Sequence, residues 1–294
     1  MRSNLRSYFE LVRLPNLFTA MADISAGGWI AVGTVSYFFT SFDFLFLLLA
    51  SISLYAMGMV WNDYFDVETD RVERPERPIP SGRILPSQAL ILGIILGVLG
   101  IVFAAFVNWM SLLIAFTIVC AVLLYDYDAK HHAVFGPIVM GGCRALNLLL
   151  GVSILSDQVG SYWWVSLFGF MYIIAVTYMA QGEVGDQLHP LRVRIMAVTI
   201  CLCVGGVTLL GLGEHATVTV IAIILFAGWT FKGVGPALRR PIPPRIQKAV
   251  GTSIVGYPLL NAAIASIFGG WLAFVTVAIF LGFSYLFSHL FAVT

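Results

Sequence analysis

The chain has very little charge. Only 11% of its 294 residues are Asp, Glu, Lys or Arg, whereas a soluble globular domain carries about 25%. Hydrophobic residues make up 60% of the chain. This composition excludes a soluble protein and predicts an integral membrane protein. The longest polar segment, roughly 62–86, is too short for a separate soluble domain, so 1–294 is expected to form one membrane domain.

Cysteines are also scarce. The four cysteines are Cys120, Cys143, Cys201 and Cys203, and all lie within apolar runs. They are interpreted as small buried hydrophobic residues, because no His or acidic residue accompanies the Cys201–Cys203 pair. The formal net charge of +1 gives no sign of a nucleic-acid partner, and none is expected.

Long apolar runs are the main feature that the chain does have. A bilayer core needs about 20 apolar residues per helix. Polar and Gly/Pro breaks separate ten such runs, at roughly 16–37, 43–62, 87–107, 110–125, 135–155, 162–181, 194–213, 216–235, 249–268 and 271–291. Nine spans result if the region after 216 packs differently. The predicted fold class is therefore an all-α membrane protein with nine to ten transmembrane helices.

Positive charge is confined to one side of this arrangement. Of the 16 Lys and Arg residues, all except Arg144 lie in the N-terminal tail or in alternate breaks. The opposite breaks carry only Asp43, Asp157 and Glu214. By the positive-inside rule, the basic breaks face the cytoplasm. We therefore expect a multi-pass protein of the cytoplasmic (inner) membrane, with its active site at the cytoplasmic face.

Acidic residues are concentrated where the second apolar run ends. Asp63, Asp66 and Asp70 follow Asn62 at spacings that place them on one helical face, about one turn apart. Carboxylates this close repel one another, so a cation is needed to offset the cost. Mg²⁺ suits such oxygen ligands and is often shared with a substrate phosphate. A solvated, salt-bridged loop is the alternative interpretation.

Arginines follow this acidic segment directly. Arg71, Arg74 and Arg77 are close enough in sequence to contact the same phosphate group. A guanidinium group forms paired hydrogen bonds with phosphate oxygens. The density of charge in a chain otherwise nearly free of it favours a site for Mg²⁺ and phosphate.

The order Asn-Asp-x-x-Asp-x-x-x-Asp-Arg, followed by Arg-Pro-x-Arg-Pro-Ile-x-Ser-Gly, resembles the first motif of the UbiA superfamily of intramembrane prenyltransferases. The match covers residues 62–82. The resemblance implies a helical bundle around a central cavity, with Mg²⁺ bridging two acidic motifs to an isoprenyl diphosphate at the cytoplasmic mouth. It also implies that Arg71 and Arg77 contact phosphate oxygens.

The second motif of that superfamily is only partly matched. Glu183 and Asp186 occupy its first two acidic positions, and Pro190 stands where the third acid belongs. The resemblance implies that Glu183 and Asp186 bind metal. A polar helix end is the alternative.

A third polar cluster follows the fourth run. The superfamily often has a Lys here that contacts the diphosphate, so the resemblance implies that role for Lys130, with simple cytoplasmic anchoring as the alternative. Asp126 and Asp128 are two residues apart, so they are not expected to share a helical face.

Polar residues also lie inside the predicted spans. Arg144 and Asn147 are three apart on the fifth run, and Asn16 and Asp23 share a face of the first run. A buried Arg in a membrane helix is a functional candidate by default. We expect these residues to face the cavity, with pairing between Asp23 and Arg144 as an equal possibility for Asp23. Asn261, in the ninth run, is expected to hydrogen-bond between helices.

The resemblance, taken with these features, implies Mg²⁺-dependent transfer of a prenyl group from an isoprenyl diphosphate donor to a small, aromatic acceptor, with membrane lipids as further partners. The segment 141–147 resembles the divergent EboC-like branch of the superfamily. A non-catalytic binder or carrier of a prenyl lipid or small metabolite is the alternative function.

The predicted site has three groups of residues. The predicted catalytic residues are Asp66, Asp70, Lys130 and Arg144. The predicted substrate-binding residues are Asn62, Asp63, Arg71, Arg77, Asn147, Asn16 and Asp23. The predicted metal ligands are Asn62, Asp66, Asp70, Glu183 and Asp186.

Overall fold

The computed structural model describes residues 2–34, 41–181 and 190–290. Within these ranges all regular structure is helical. The α-helices are α1 Arg2–Leu11, α2 Leu14–Val32, α3 Phe42–Phe65, α4 Val67–Glu73, α5 Pro86–Ala105, α6 Trp109–Tyr127, α7 Phe135–Val152, α8 Gln158–Tyr162, α9 Ser166–Ala180, α10 Pro190–Leu210, α11 Ala216–Arg239 and α12 Pro243–Ser288. Short 3₁₀ helices lie at Ala129–His131 and Trp163–Val165.

Eight helical segments in the described ranges are long and apolar enough to cross a membrane. They are α3, α5, α6, α7, the α8–α9 segment Gln158–Ala180, α10, α11 and α12. The prediction of an all-helical membrane protein is confirmed, but the predicted count of nine to ten spans becomes eight candidates. One reason is that α12 includes both of the last two predicted runs; the predicted break between them is present, because Gly269 and Gly270 are non-helical and Gly270 has φ 59°. The other is that α2, which covers most of the first predicted run, is not among the eight.

The outer face of the bundle is apolar. On α5, for example, Ile91, Ile94, Ile95 and Val98 are each about half exposed. Large apolar side chains left uncovered in this number are stable only when lipid surrounds them. The chain is therefore a multi-pass integral membrane protein.

Helix α2 lies at the centre of the bundle, where it packs against α3, α7 and α12. Two glycines allow α2 and α7 to approach closely. A Cβ atom on Gly27 would collide with the carbonyl oxygen of Leu148, and one on Gly151 would collide with that of Ile24. Because no side chain separates the two backbones here, polar groups of α2 and α7 one turn away meet directly.

The acidic segment after the second run is not one continuous helix. Helix α3 ends at Phe65, Asp66 has φ −89° and ψ 6°, and α4 begins at Val67. Backbone hydrogen bonds still cross the junction, from Asp66 N to Asn62 O (3.0 Å) and from Asp70 N to Asp66 O (2.8 Å). The predicted single helical face is thus interrupted at its middle aspartate.

Candidate active site

Two aspartates of the first motif share one arginine. Nη1 of Arg77 lies 2.7 Å from Oδ2 of Asp70 and 3.2 Å from Oδ1 of Asp63. Arg13, just before α2, also reaches Asp63, with 3.1 Å between Nη2 and Oδ1. Both aspartates are buried, so each needs a partner to offset its lost hydration. The guanidinium groups of Arg77 and Arg13 are these partners.

The third aspartate has a different partner. Nζ of Lys130 lies 2.5 Å from Oδ1 of Asp66. Asp66 occupies the junction between α3 and α4, and Lys130 lies in the 3₁₀ helix after α6. The structure therefore brings the predicted residues Asp66 and Lys130 together, but separates Asp66 from the cation that Asp63 and Asp70 share.

Asn62 contacts a carboxylate that was not predicted to belong to the site. Its Nδ2 donates to Oδ1 of Asp126, 3.1 Å away, and Asp126 is buried. Asp128 is exposed, so the two acids do not share a face, as their spacing predicted. Sequence reasoning missed Asp126 because no pattern marked which of the two faces inward. It also treated Arg13 only as a charge that sets the topology.

Arg71 does not reach the site. Its side chain is 55% exposed and pairs with Glu68, with 2.7 Å between Nη1 and Oε1. Arg74 lines a cavity instead. The predicted contact between Arg71 and phosphate stays a prediction, and the structure offers Arg74 as a better-placed arginine.

A second polar group lies deep in the bundle around Asp23, whose side chain is fully buried. Asp23 Oδ2 accepts a hydrogen bond from Asn147 Nδ2 (2.8 Å), and Oδ1 accepts one from Asn261 Nδ2 (2.7 Å). Nη1 of Arg144 is 3.3 Å from Oδ2. Of the two roles expected for Asp23, the structure shows the pairing with Arg144. Asn261 joins this group as well as linking helices.

Arg144 is enclosed by aromatic and polar side chains. Its Nη2 donates to Thr19 Oγ1 at 3.0 Å. Its Cζ lies 5.4 Å from the ring centroid of Tyr55 and 4.6 Å from that of Tyr257. Such cation–π contacts stabilise a guanidinium group that has lost its water. The position of Arg144 is thus fixed from several sides.

Two adjacent cavities that share lining residues lie between the motif and this deep group. The smaller cavity, of about 150 Å³, is lined by Asn62, Asp126, Arg144 and Asn147 among others. The larger, of about 310 Å³, is lined by Arg13, Asn16, Arg74, Arg144 and Tyr257 among others. Arg13 and Arg144 line both. The expected central cavity is therefore present, and predicted residues lie on it.

The donor set at the motif suits Mg²⁺ in its chemistry. Asn62, Asp66 and Asp70 offer the oxygen atoms that this ion prefers. In the ranges that the structure describes, however, no three acidic, His or Cys side chains lie close enough together to hold a metal ion. Basic side chains contact Asp66 and Asp70. Glu183 and Asp186 lie outside the described residues.

Comparison with known proteins decides the family. The model of the UbiA prenyltransferase family matches residues 20–249. This chain belongs to the UbiA prenyltransferase family. The predicted assignment to an enzyme of the UbiA prenyltransferase type is confirmed.

Similar curated proteins are digeranylgeranylglyceryl phosphate synthases. The one from Sulfurisphaera tokodaii is 30% identical over 201 residues, which is 65% of this chain and 70% of that protein. The one from Methanoregula boonei is 27% identical over 244 residues, covering 78% and 81%. These relatives do not support the EboC-like branch, and the product in their name is a glyceryl phosphate rather than an aromatic compound.

Solved structures show the same fold. A digeranylgeranylglyceryl phosphate synthase structure has a TM-score of 0.61 at 22% identity and covers 90% of this chain and 98% of that one. A UbiA homologue from Archaeoglobus fulgidus bound to DMAPP and Mg²⁺ has a TM-score of 0.61 at 15% identity, covering 92% and 99%. The helical bundle of this chain is therefore UbiA-like.

Proposed function

We propose that this chain transfers a prenyl group from an isoprenyl diphosphate to a glyceryl phosphate derivative at the cytoplasmic side of the membrane. One observation carries the choice of acceptor. Among the described residues, the larger cavity is lined by Arg13, Arg74 and Arg144 and by no acidic side chain. A cavity with this lining favours an anionic ligand over a neutral one. The names of the curated relatives agree with a phosphate-bearing acceptor.

In this proposal the first acidic motif, residues 62–82, binds the isoprenyl diphosphate donor. Asn62, Asp66 and Asp70 would hold Mg²⁺, together with Glu183 and Asp186 from the second motif. When bound, Mg²⁺ supplies positive charge that stabilises the departing diphosphate. The A. fulgidus homologue, whose structure contains DMAPP and Mg²⁺, is consistent with this assignment.

The chain's own basic residues act on the same group. Lys130 and Arg77 now contact Asp66 and Asp70, so both ammonium and guanidinium groups already lie at the position that a diphosphate would approach. Positive groups fixed in place before the reaction stabilise charge that develops as the C–O bond breaks. We expect both residues to exchange part of their carboxylate contacts for phosphate oxygens.

The cavity walls exclude water from this step. Apolar side chains dominate the smaller cavity, including Leu54, Ile118, Val122 and Met140. An activated prenyl group reacts with water when water can reach it, so an apolar enclosure favours transfer to the acceptor. The acceptor hydroxyl oxygen bonds to the first carbon of the prenyl group as the C–O bond to diphosphate breaks, diphosphate leaves with the bonding electron pair, and the hydroxyl proton passes to the diphosphate.

Release of diphosphate tests this proposal. The purified chain in lipid nanodiscs with Mg²⁺ and geranylgeranyl diphosphate would be given three acceptors in turn: geranylgeranylglyceryl phosphate, the same lipid without its phosphate, and 4-hydroxybenzoate. We expect release mainly with the first. Release of diphosphate with 4-hydroxybenzoate alone would instead indicate the aromatic acceptor predicted from the sequence. No release of diphosphate with any of the three acceptors, together with tight binding of prenyl lipid, would indicate a carrier.

A further inference from the structure

We propose that Arg144 recognises the phosphate of the acceptor at the inner end of the larger cavity, and that Asp23 and Asn261 are positioning residues that hold Arg144 for this task. The inference rests on the proposed function, because it assigns a specific group of the acceptor to a specific side chain. It separates the acceptor site, deep in the bundle, from the donor motif at its mouth.

The chemistry of the inner end excludes a prenyl tail there. Arg144 and Asp23 are buried charged residues, with 7% and 0% of their side chains exposed. A hydrocarbon tail packed against them would remove the remaining hydration and return no hydrogen bond. A ligand that fills this end must therefore offer polar oxygen atoms.

Arg144 keeps hydrogen-bonding capacity for such a ligand. Nη2 donates to Thr19. Nη1 is fully buried beside Asp23, 3.3 Å from Oδ2, and has no hydrogen-bond partner among the described residues, so a ligand approaches the guanidinium group at the atoms that line the larger cavity. The Tyr257 hydroxyl lies beside Asp23 and Arg144 without a well-formed hydrogen bond to either. Arg144 and Tyr257 both line the larger cavity, so a ligand with polar oxygen atoms can contact them there.

Asp23 explains why Arg144 retains this capacity. Both of its oxygens already accept hydrogen bonds from amides, those of Asn147 and Asn261. Asp23 therefore offsets the charge of Arg144 without accepting hydrogen bonds from all of the N–H groups of Arg144. The rings of Tyr55 and Tyr257 stack against the guanidinium group, which leaves its edge as the route for a ligand oxygen.

The experiment compares ligands with and without phosphate. Dissociation constants of geranylgeranylglyceryl phosphate and of its dephosphorylated form would be measured with the purified full chain in nanodiscs. For the wild-type chain, the phosphate should strengthen binding by about 10- to 100-fold. In Arg144→Gln this gain should disappear, while the KM for the prenyl diphosphate stays within about twofold of the wild type.

A double variant separates recognition from folding. Arg144→Gln leaves Asp23 buried without its cation, so its thermal midpoint should fall. The double variant Asp23→Asn/Arg144→Gln should recover much of that midpoint and still show no gain from phosphate. If the double variant recovered both its thermal midpoint and the gain in affinity from phosphate, the inference would be overturned, because Asp23 and Arg144 would then have only a structural role.

Asn261 and Arg74 provide the remaining comparisons. Asn261→Ala should weaken binding of the phosphate-bearing acceptor without changing the donor KM, and Asn261→Ser, which keeps a donor, should lose less. An equal loss for donor and acceptor would contradict positioning. If Arg74→Gln abolishes the gain from phosphate and Arg144→Gln does not, the phosphate lies at the mouth and the inference fails.

The two proposals fail in different ways. Phosphate binding that depends on Arg144 without product would refute the proposed function and uphold the recognition by Arg144. Product formation without any dependence on Arg144 would refute the recognition alone. Absence of both binding and product would refute both.

Discussion

Nζ of Lys130 lies 2.5 Å from Oδ1 of Asp66, although 64 positions separate them in sequence. This ion pair joins the junction between α3 and α4 to the 3₁₀ helix after α6. Both residues were predicted to act on the same diphosphate. The contact means that the carboxylate and the ammonium group are already within reach of one shared ligand.

Removing a motif carboxylate should abolish function. Asp66→Ala or Asp70→Ala is expected to eliminate both prenyl transfer and Mg²⁺-dependent binding of diphosphate, because each removes a carboxylate proposed to bind Mg²⁺ and leaves Lys130 or Arg77 without that partner. Diphosphate release and binding by calorimetry measure this. Glu68→Ala is the matched control, since Glu68 is 76% exposed and pairs only with Arg71 among the described residues. Retained activity in Asp70→Ala would contradict the metal role.

Lys130 should contribute mainly to donor binding. Lys130→Gln keeps the length of the side chain approximately and removes its charge. We expect the KM for the prenyl diphosphate to rise by about 10- to 100-fold, the usual size of a charge-assisted hydrogen bond. Lys232→Gln, at an exposed position outside the site, serves as the control. If Lys130→Gln left donor KM and kcat unchanged, Lys130 would be only a cytoplasmic anchor.

Arg77 should stabilise the fold as well as bind phosphate. It is the cation that Asp63 and Asp70 share, and both acids are buried. Arg77→Ala is expected to lower the free energy of unfolding by about 3 kcal/mol, since Asp70 loses its partner while Asp63 keeps Arg13. Thermal unfolding in detergent measures the change. Arg71→Ala, which breaks an exposed pair, should change stability by about 0.5 kcal/mol or less. Equal losses of stability in Arg77→Ala and Arg71→Ala would contradict a stabilising role for the buried ion pairs of Asp63 and Asp70.

The close contact of α2 and α7 should be sensitive to a single methyl group. In Gly27→Ala the new Cβ would meet backbone atoms of Leu148 and Val152, which cannot rotate away. We expect a lower thermal midpoint and a loss of activity, because Asp23 and Asn147 would move apart. Gly142→Ala is the control on α7, since a Cβ there meets nothing within 4 Å. It should be neutral or stabilising. A harmless Gly27→Ala would contradict the role of this contact.

Local sequence signals predicted part of the fold and the site. Apolar runs identified the membrane helices, because burial in lipid requires them. The break that the sequence predicted at 269–270 is confirmed, because the backbone of Gly269 and Gly270 within α12 is non-helical. By contrast, helical spacing placed Asp63, Asp66 and Asp70 on one face, whereas the backbone at Asp66 interrupts it.

Contacts between distant segments were harder to predict. Arg13 with Asp63, Asn62 with Asp126, and Asn261 with Asp23 each join helices far apart in sequence. No local pattern encodes such pairs, because they depend on which helices become neighbours. The pairing of Asp23 with Arg144 was open for the same reason. Glycines at 27 and 151 allow it, and their effect becomes visible only when α2 and α7 are packed together.

The central claim is prenyl transfer to a phosphate-bearing acceptor, and the mass of the product tests it most directly. The purified chain would be incubated with Mg²⁺, geranylgeranyl diphosphate and geranylgeranylglyceryl phosphate, and the lipids analysed by mass spectrometry. We predict a product equal to the acceptor plus one geranylgeranyl group minus one hydrogen, absent in Asp70→Ala. An unchanged acceptor, with only the hydrolysed prenyl alcohol formed, would contradict the claim.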